Sequence, residues 1–259
     1  MPFAEISGLQ IYYDDLGKGV PVLAIHGLGG SSNFWWPLHT ALAETARIIA
    51  PDMPSSGRSS CDAELSIDRI ADVMLQLLDH LELPKVHLLG HSMGTIVCQA
   101  MAARAPDKFH TIALLGPLAE PPDPARPNIA ARADLAREQG MPPIADAIVG
   151  AALASETRAS KPVATAFVRE LVAAQNAEGY AQSCLALAKA TAANVSGVAC
   201  PALLITGDQD GVAPPANVEA LAGQFSNLVA NTVLAECGHW TILEQPEAVT
   251  TALQDLYSD

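Results

Sequence analysis

Apolar and polar positions along this chain follow two patterns that predict different elements. Short, almost uninterrupted apolar runs are typical of strands that are buried on both faces of a parallel sheet. Such runs occupy residues 20–25, 47–50, 86–89, 111–115, 201–206 and 231–234. An earlier pair of runs, residues 3–6 and 9–13, flanks Ser7 and Gly8 and predicts a β-hairpin.

Segments with helical periodicity lie between these apolar runs. In residues 67–81 the apolar side chains recur at helical spacing, with aspartates among the polar positions. Helices are also expected at residues 34–43, at residues 93–103 and from Pro246 onward, since proline is favoured in a first helical turn. Strands that alternate with helices predict a mostly parallel sheet with right-handed crossovers and helices on both faces.

The alternation is interrupted after Gly116. Prolines cluster over the next few residues, at positions 117, 121, 122, 124 and 127, and break any regular element. Residues 128–194 are alanine-rich and helical in pattern, and the strand pattern returns only afterwards. The sequence therefore predicts an α/β core made of residues 1–116 and 198–259, with a helical insertion at residues 117–197.

Composition and charge narrow the possible partners. Half of the 259 residues are apolar, so the chain can bury a large core. The formal net charge of −14 argues against nucleic acid, whose phosphates need a basic surface, and against binding to anionic membranes. No apolar run is long enough to span a bilayer, and the first residues lack the pattern of a secretory signal. We expect a cytoplasmic protein with a small-molecule substrate, and the oligomeric state is left open.

Cysteines, metal ligands and nucleotide motifs give no indication of a cofactor. The five cysteines are scattered and form no C-x-x-C pair, so reduced thiols are expected. His26 has no second histidine or carboxylate at ligand spacing, and no metal site is expected. In the glycine-rich segment after His26, Ser32 stands where a dinucleotide fingerprint needs its last glycine.

A Gly-x-Ser-x-Gly motif at residues 90–94 directly follows one of the apolar runs and precedes a predicted helix. In this setting the serine is a nucleophile held on a strained turn, with its hydroxyl exposed at the carboxyl end of a strand. Glycine is needed at both ends of the motif because a Cβ there would collide with the crossing strand and helix. Ser92 is therefore the candidate nucleophile.

A serine hydroxyl needs an adjacent base, and the base needs an orienting acid. His239 lies on a loop after the last predicted strand, at the same sheet edge as Ser92, and is the candidate base. Two aspartates follow the preceding strand to that edge. Asp208 is expected to cap the turn with its own backbone, so Asp210, further along the loop, is favoured as the acid.

Acyl transfer also needs hydrogen-bond donors that point at the developing oxyanion. The main-chain N–H of Met93, directly after the candidate nucleophile, supplies one donor. The second is expected from the loop at residues 26–30, whose glycines let the main chain approach a bound carbonyl closely. Within this loop the N–H of Leu28 is the candidate.

With these motifs, the chain resembles the α/β-hydrolase family over essentially its whole length. It is most similar to compact members with a helical cap: 3-oxoadipate enol-lactonase-like hydrolases, cofactor-free haloperoxidases and small esterases. The resemblance implies an α/β-hydrolase fold in which residues 117–197 form the cap. It also implies a catalytic triad and an oxyanion hole, formed by Ser92, Asp210, His239, Leu28 and Met93. The chain departs from the family pattern at Ser55, where a glycine is usual.

The predicted reaction is hydrolysis of a carboxylic ester or lactone through an acyl-enzyme. C–C bond hydrolysis or peracid formation on the same triad is the alternative, and a ligand-binding protein with little turnover is a third hypothesis. His91, Trp35 and Trp240, together with Trp36, lie beside the catalytic loops and are expected to line the pocket, unless they support the turn or pack into the core. A carboxylate on the substrate would require one basic residue of the insertion to point inward.

Overall fold

The computed structural model describes residues 2–258, and within these residues eight strands form one sheet. In chain order they are β1 (Phe3–Ile6), β2 (Leu9–Gly17), β3 (Val20–Ile25), β4 (Ala46–Pro51), β5 (Val86–His91), β6 (Phe109–Leu115), β7 (Ala202–Gly207) and β8 (Leu228–Leu234). Their order across the sheet is β1-β2-β4-β3-β5-β6-β7-β8.

Only β2 runs against the other strands of this sheet. β1 pairs with β2, and β2 pairs with β4, in antiparallel register. Every pairing from β4 across to β8 is parallel. The predicted hairpin and the predicted mostly parallel sheet are both confirmed. Because parallel strands end at one edge of the sheet, the loops after β3, β5, β6, β7 and β8 meet there.

Helices connect the strands. In chain order they are α1 (Trp36–Leu42), α2 (Ile67–His80), α3 (Met93–Arg104), α4 (Arg126–Gln139), α5 (Pro142–Ala152), α6 (Ser155–Ser160), α7 (Pro162–Ala173), α8 (Ala177–Ala188), α9 (Pro215–Ala222), α10 (Thr241–Glu244) and α11 (Pro246–Ser258). The chain between β6 and β7, all of which is described, contains α4 to α8 and no strand. This is the segment for which the sequence predicts a helical insertion.

Helix α2 shows how the apolar pattern becomes packing. The Ser66 hydroxyl accepts from the amide of Arg69 at 3.1 Å and caps the first turn. The buried face of α2 includes Ile70, Met74 and Leu77, and this helix packs against α3. Elsewhere in the fold, α1 packs against α11. Every residue of β5 and of β7 is buried, so both faces of the sheet are covered.

The structure also differs from the expected boundaries. β5 continues through the first two motif residues to His91, and β8 begins at Leu228, three residues before the predicted strand. β8 is one of the two edge strands, and its exposed valines weaken the apolar pattern that would indicate its start. The short helices α9 and α10 are not predicted, because so few residues show little periodicity.

Ser55, the departure from the family pattern, lies in the left-handed region of backbone conformation with φ 66°. Glycine adopts this conformation most readily, which accounts for the residue that the family usually carries there. The Ser55 hydroxyl accepts from the amide of Asp62 at 2.8 Å, a contact that glycine cannot make. The side chain therefore adds a local hydrogen bond at a position where the backbone is strained.

Candidate active site

Ser92 is the single residue between β5 and α3. Its backbone has φ 52° and ψ −122°, a strained conformation that residues other than glycine rarely adopt. A Cβ on Gly90 would lie 2.8 Å from the main-chain oxygen of Gly94, and a Cβ on Gly94 would lie 2.2 Å from that of Ile25. Both glycines are therefore required by the close crossing of strand and helix around the serine.

Three candidate residues meet at the carboxyl edge of the sheet. The distance from His239 Nε2 to Ser92 Oγ is 2.7 Å, and the distance from His239 Nδ1 to Asp210 Oδ2 is 2.8 Å. All three side chains are buried. A carboxylate can only accept, so Nδ1 carries the ring proton and Nε2 is free to accept the proton of the serine hydroxyl.

The Asp210 carboxylate is held by two main-chain donors as well as by the histidine. Its Oδ1 accepts from the amides of Val212 and Ala213 at 2.8 Å and 2.7 Å. Burial disfavours the charge, but the His239 ring and these two amides outweigh burial and lower the pKa of Asp210. The side chain is therefore ionised at neutral pH, as an orienting acid must be.

Asp208 makes a different contact from the one expected. Its side chain is exposed, and its Oδ1 accepts from the amide of Cys237 at 3.1 Å instead of capping its own turn. Because β7 and β8 are neighbours, the loops that follow them touch, and this contact joins them. Both aspartates thus contact the His239 loop, but it is Asp210 that hydrogen-bonds to the ring.

The loop at residues 26–30 is tied down by His26. The Nε2 of this buried histidine accepts from the amide of Met53 at 3.0 Å, so Nδ1 carries the proton and donates to the Gly27 carbonyl at 2.8 Å. Burial lowers the pKa of His26 and favours this neutral tautomer. A Cβ on Gly27 would lie 2.8 Å from the Cβ of Ser92, so the loop backbone runs directly beside the nucleophile.

The two candidate oxyanion donors belong to two segments next to Ser92. Leu28 lines the same cavity as Ser92. Met93 is the first residue of α3, and the first N–H groups of a helix have no acceptor within it. Their role as oxyanion donors stays a prediction.

A cavity of about 330 Å³, here called the catalytic cavity, opens onto Ser92 and His239. This is the lower end of the size range of small-molecule sites, roughly 300–1,000 Å³. Its walls are mostly apolar and include Leu28, Leu118, Ile129, Ile148, Leu187 and Trp240. The cavity therefore suits a compact substrate with a carbonyl group near Ser92.

Among the tryptophans that the sequence suggests for the pocket, Trp240 lines the catalytic cavity. Trp35 does not line it: this side chain is fully buried in the core, with its ring 4.7 Å from the ring of Phe34. Trp36 is 56% exposed on the outer surface. The pocket assignment is wrong for Trp35 and Trp36 because the first packs into the core and the second points to the outer surface.

His91 is also absent from the cavity wall. It lies behind the triad, where its Nε2 donates to the main-chain oxygen of His239 at 2.9 Å and its ring stacks on Phe34 at 4.5 Å. Burial lowers the pKa of His91 to about 3, so the ring is neutral at physiological pH. The pocket role expected for His91 is therefore wrong, and the alternative that it supports the turn stays a prediction.

Comparison with known proteins identifies the family of this chain. A family model described as the alpha/beta hydrolase fold matches residues 20–152, just over half of the chain. The chain belongs to the α/β-hydrolase family. The fold that the sequence predicts is thereby confirmed, and the hydrolase class of enzyme with it.

Two enzymes are similar to this α/β hydrolase over nearly the full length of both chains. The solved structure of the enol-lactonase from Burkholderia xenovorans LB400 superimposes with a TM-score of 0.93 at 27% identity, covering 100% of both chains. The 2-hydroxymuconate semialdehyde hydrolase of Pseudomonas sp. (strain CF600) is 28% identical, over 98% of this chain and 92% of that enzyme.

Another relative is much longer than this hydrolase. The dihydrolipoyllysine-residue acetyltransferase component of the acetoin cleaving system of Pseudomonas putida is 38% identical over 115 residues. The match spans 43% of this chain and 31% of that protein.

In residues 2–258 of the hydrolase, no helix has the length and hydropathy that crossing a bilayer requires. Nor do three His, Cys, Asp or Glu residues of this range come together in a way that could hold a metal ion.

Two further residues shape the hydrolase site and are not predicted from the sequence. Gly116, directly after β6, has φ 53°, and a Cβ there would lie 2.8 Å from Nδ1 of His239. The missing side chain leaves room for the imidazole.

Glu244 is the second of these residues, a fully buried carboxylate in α10. Its Oε1 accepts from the amide of Trp240 at 3.0 Å, and its Oε2 accepts from the amide of Gly238 at 3.1 Å.

The same carboxylate also joins the His239 loop to the insertion. Its Oε2 accepts from the amide of Ala154 and the hydroxyl of Thr157, each at 2.8 Å, at the beginning of α6. The amide of His239 itself donates to the carbonyl of Ala152 at 2.8 Å. Glu244 and the end of α5 therefore fix the main chain on both sides of the candidate base.

Replacing Glu244 with glutamine is expected to reduce stability and turnover together. The glutamine oxygen can take the place of Oε2, but the glutamine NH₂ group then takes the place of Oε1. This group cannot accept from the amide of Trp240, because both are donors. Loss of this buried acceptor should cost about 1–3 kcal/mol of unfolding free energy, measured by urea titration. We also expect kcat to fall about tenfold with KM changed much less, because the loop that places His239 shifts.

The matched control is Glu247→Gln, which removes the same charge from an exposed position three residues away. It should change neither the stability nor kcat appreciably. Equal effects of the two substitutions would show that Glu244 does not position the loop.

Proposed function

We propose that this α/β hydrolase cleaves a carboxylic ester or lactone of a small molecule through an acyl-enzyme on Ser92. The observation that carries the proposal is the 2.7 Å contact between Ser92 Oγ and His239 Nε2 at the wall of the catalytic cavity. The similarity to an enol-lactonase over the whole chain supports the same class of reaction. No cofactor is required for this chemistry.

In the first step, Ser92 Oγ attacks the substrate carbonyl carbon while its proton passes to Nε2 of His239. Negative charge develops on the carbonyl oxygen, where the amides of Leu28 and Met93 are the proposed donors. When the tetrahedral intermediate collapses, the bond to the alkoxy oxygen breaks and His239 returns the proton to that oxygen. From a lactone, the new alcohol remains attached to the acyl group.

In the second step, His239 takes a proton from water and the resulting hydroxide attacks the acyl-enzyme carbonyl. The bond to Ser92 Oγ then breaks, the serine regains its proton from His239, and the product leaves as a carboxylic acid. Asp210 keeps its negative charge throughout, and it stabilises the imidazolium that forms in both steps.

We also propose that residues 117–197 act as a cap that selects the substrate. Ile129 of α4, Ile148 of α5 and Leu187 of α8 line the catalytic cavity opposite the sheet edge. Changes in these side chains would alter the shape of the cavity without touching Ser92 or His239. The cap is thus the part of the molecule in which substrate preference is expected to reside.

A second candidate is hydrolysis of a C–C bond next to a carbonyl, supported by the match to the semialdehyde hydrolase. The leaving group would then be a carbanion, which must be protonated, instead of an alkoxide. A ketone of similar size, with a second carbonyl group placed to stabilise the carbanion that leaves, tests this candidate. Ester hydrolysis predicts a much higher kcat/KM for the ester than for this ketone, and C–C hydrolysis predicts the reverse.

Diethyl p-nitrophenyl phosphate is expected to inactivate the enzyme by phosphorylating Ser92. About one equivalent of p-nitrophenol per chain should be released, because His239 activates this hydroxyl and no other serine. Absorbance gives the stoichiometry, and peptide mass spectrometry identifies the modified residue. Esterase activity that survives complete modification, or phosphorylation of another serine, would contradict the acyl-enzyme mechanism.

A further inference from the structure

Arg132 is the one lysine or arginine among the described residues that line the catalytic cavity. It lies on α4, is half-buried, and lines the catalytic cavity together with Ser92 and His239. Among residues 2–258 that line this cavity, no aspartate, glutamate or lysine is present. The wall around a fixed positive charge is therefore almost entirely uncharged.

The other basic residues of the insertion are already engaged or solvated. Ion pairs are formed by Arg126, Arg137 and Arg169. Main-chain carbonyls accept from Arg158 and Lys161. The remaining one, Lys189, is exposed. Arg132 forms no ion pair with a carboxylate of residues 2–258. Asp134, two residues away, pairs with Arg137 instead.

The ionisable groups close to Arg132 do not neutralise it either. They are Tyr180 and Cys184 of α8, both buried. Burial raises the pKa of Tyr180 far above neutral and that of Cys184 to about 11, although the charge of Arg132 acts in the opposite direction. Both groups are therefore uncharged at neutral pH and provide no negative charge to neutralise the guanidinium of Arg132.

A half-buried guanidinium in a mostly apolar wall, with no carboxylate partner among the described residues, offers a charged hydrogen-bond donor to an anion in the cavity. The chain has 28 acidic and 14 basic residues, so carboxylates are abundant, yet none occupies this position. We infer that Arg132 binds a carboxylate of the substrate, and that the enzyme acts on esters or lactones of this anionic kind. This inference rests on the proposed function, since it names the substrate class of the same site.

A carboxylate is the anion that best fits the observed donors. The planar guanidinium can bind it through two parallel hydrogen bonds. Asn128 lies one helical turn before Arg132 on α4, lines the same cavity and offers an amide NH₂ on the same face of the helix. Ser92 and His239 then act on a carbonyl elsewhere in the same molecule.

The test compares monomethyl esters of succinic, glutaric and adipic acids with neutral methyl esters in which an isopropyl group replaces the free carboxylate. For at least one length, wild-type kcat/KM for the half-ester should exceed that for its neutral counterpart by at least about tenfold. In Arg132→Gln this ratio should fall at least about tenfold, and in Arg132→Lys to a smaller extent. A ratio is used because misfolding of part of the sample cancels from it.

Arg169→Gln is the matched control, since it removes one positive charge from the exposed surface of the same insertion. It should leave the ratio within about twofold, which separates a local contact from long-range attraction. If both kinds of ester are hydrolysed with equal kcat/KM at every length, or if Arg132→Gln and Arg169→Gln give the same ratio, this inference is wrong while the proposed function stands. If neither kind is hydrolysed in a Ser92-dependent way, the proposed function is wrong and the inference falls with it.

Discussion

Replacement of Ser92 by alanine is expected to lower kcat for ester hydrolysis by at least about 10³-fold. Without Oγ, His239 has no serine hydroxyl to deprotonate, and no acyl-enzyme can form. The oxyanion donors and the cavity remain, so a residual rate above that of the buffer is expected from binding and charge stabilisation alone. Steady-state kinetics with a short p-nitrophenyl ester, corrected for the rate without enzyme, measures the loss.

The same loss is expected for His239→Ala, and the double variant should be no worse than either single variant. This non-additivity follows because each residue is effective only through the other, at the 2.7 Å contact between them. Additive losses in the double variant would indicate that the two residues act in separate steps.

Ser183→Ala provides the matched control, since Ser183 is also buried and donates to the Gly179 carbonyl within α8. It should retain kcat within a few-fold of the wild type. Ser92→Ala keeps a Cβ at the strained φ of 52°, so its unfolding free energy should stay within about 1 kcal/mol of the wild type. Hydrolysis by Ser92→Ala at the wild-type rate would show that Ser92 is not the nucleophile.

The part of the site that could be predicted from the sequence is the part encoded locally. The motif around Ser92 specifies its own turn, because the two glycines and the flanking strand and helix are all adjacent in the chain. His239 and Asp210 could be predicted because parallel strands bring the loops that follow them to one edge. The same topological argument does not distinguish Asp210 from Asp208, and only the loop geometry shows which carboxylate reaches the ring.

The remaining contacts depend on packing that no local pattern encodes. Glu244 sits in a helix of four residues and contacts a segment some 90 residues earlier in the chain. Arg132 is one of seven basic residues on alanine-rich helices, and its sequence neighbours do not indicate that it faces inward. The sequence predicts a pocket role for Trp35 and His91 because they are close to catalytic loops, but both side chains are buried outside the cavity wall.

Asparagine at position 210 is expected to lower kcat by about 10³-fold or more while preserving the fold. The amides of Val212 and Ala213 both donate to Oδ1, so the asparagine oxygen must occupy that side. Its NH₂ group then faces Nδ1 of His239 and donates to it. The ring is thereby held with its proton on Nε2, where it can no longer accept the proton of Ser92.

Asp208→Asn is the natural control for this substitution, because it removes the same charge two residues away. Its oxygen can still accept from the amide of Cys237, so kcat should change by less than about threefold. Both variants are compared by kcat/KM for one ester and by urea unfolding, which excludes a general loss of structure. The opposite order of the two effects would mean that Asp208 orients His239 during catalysis. In that case the loop after β7 would have to rearrange when substrate binds, since the 2.8 Å contact between His239 Nδ1 and Asp210 would have to be replaced.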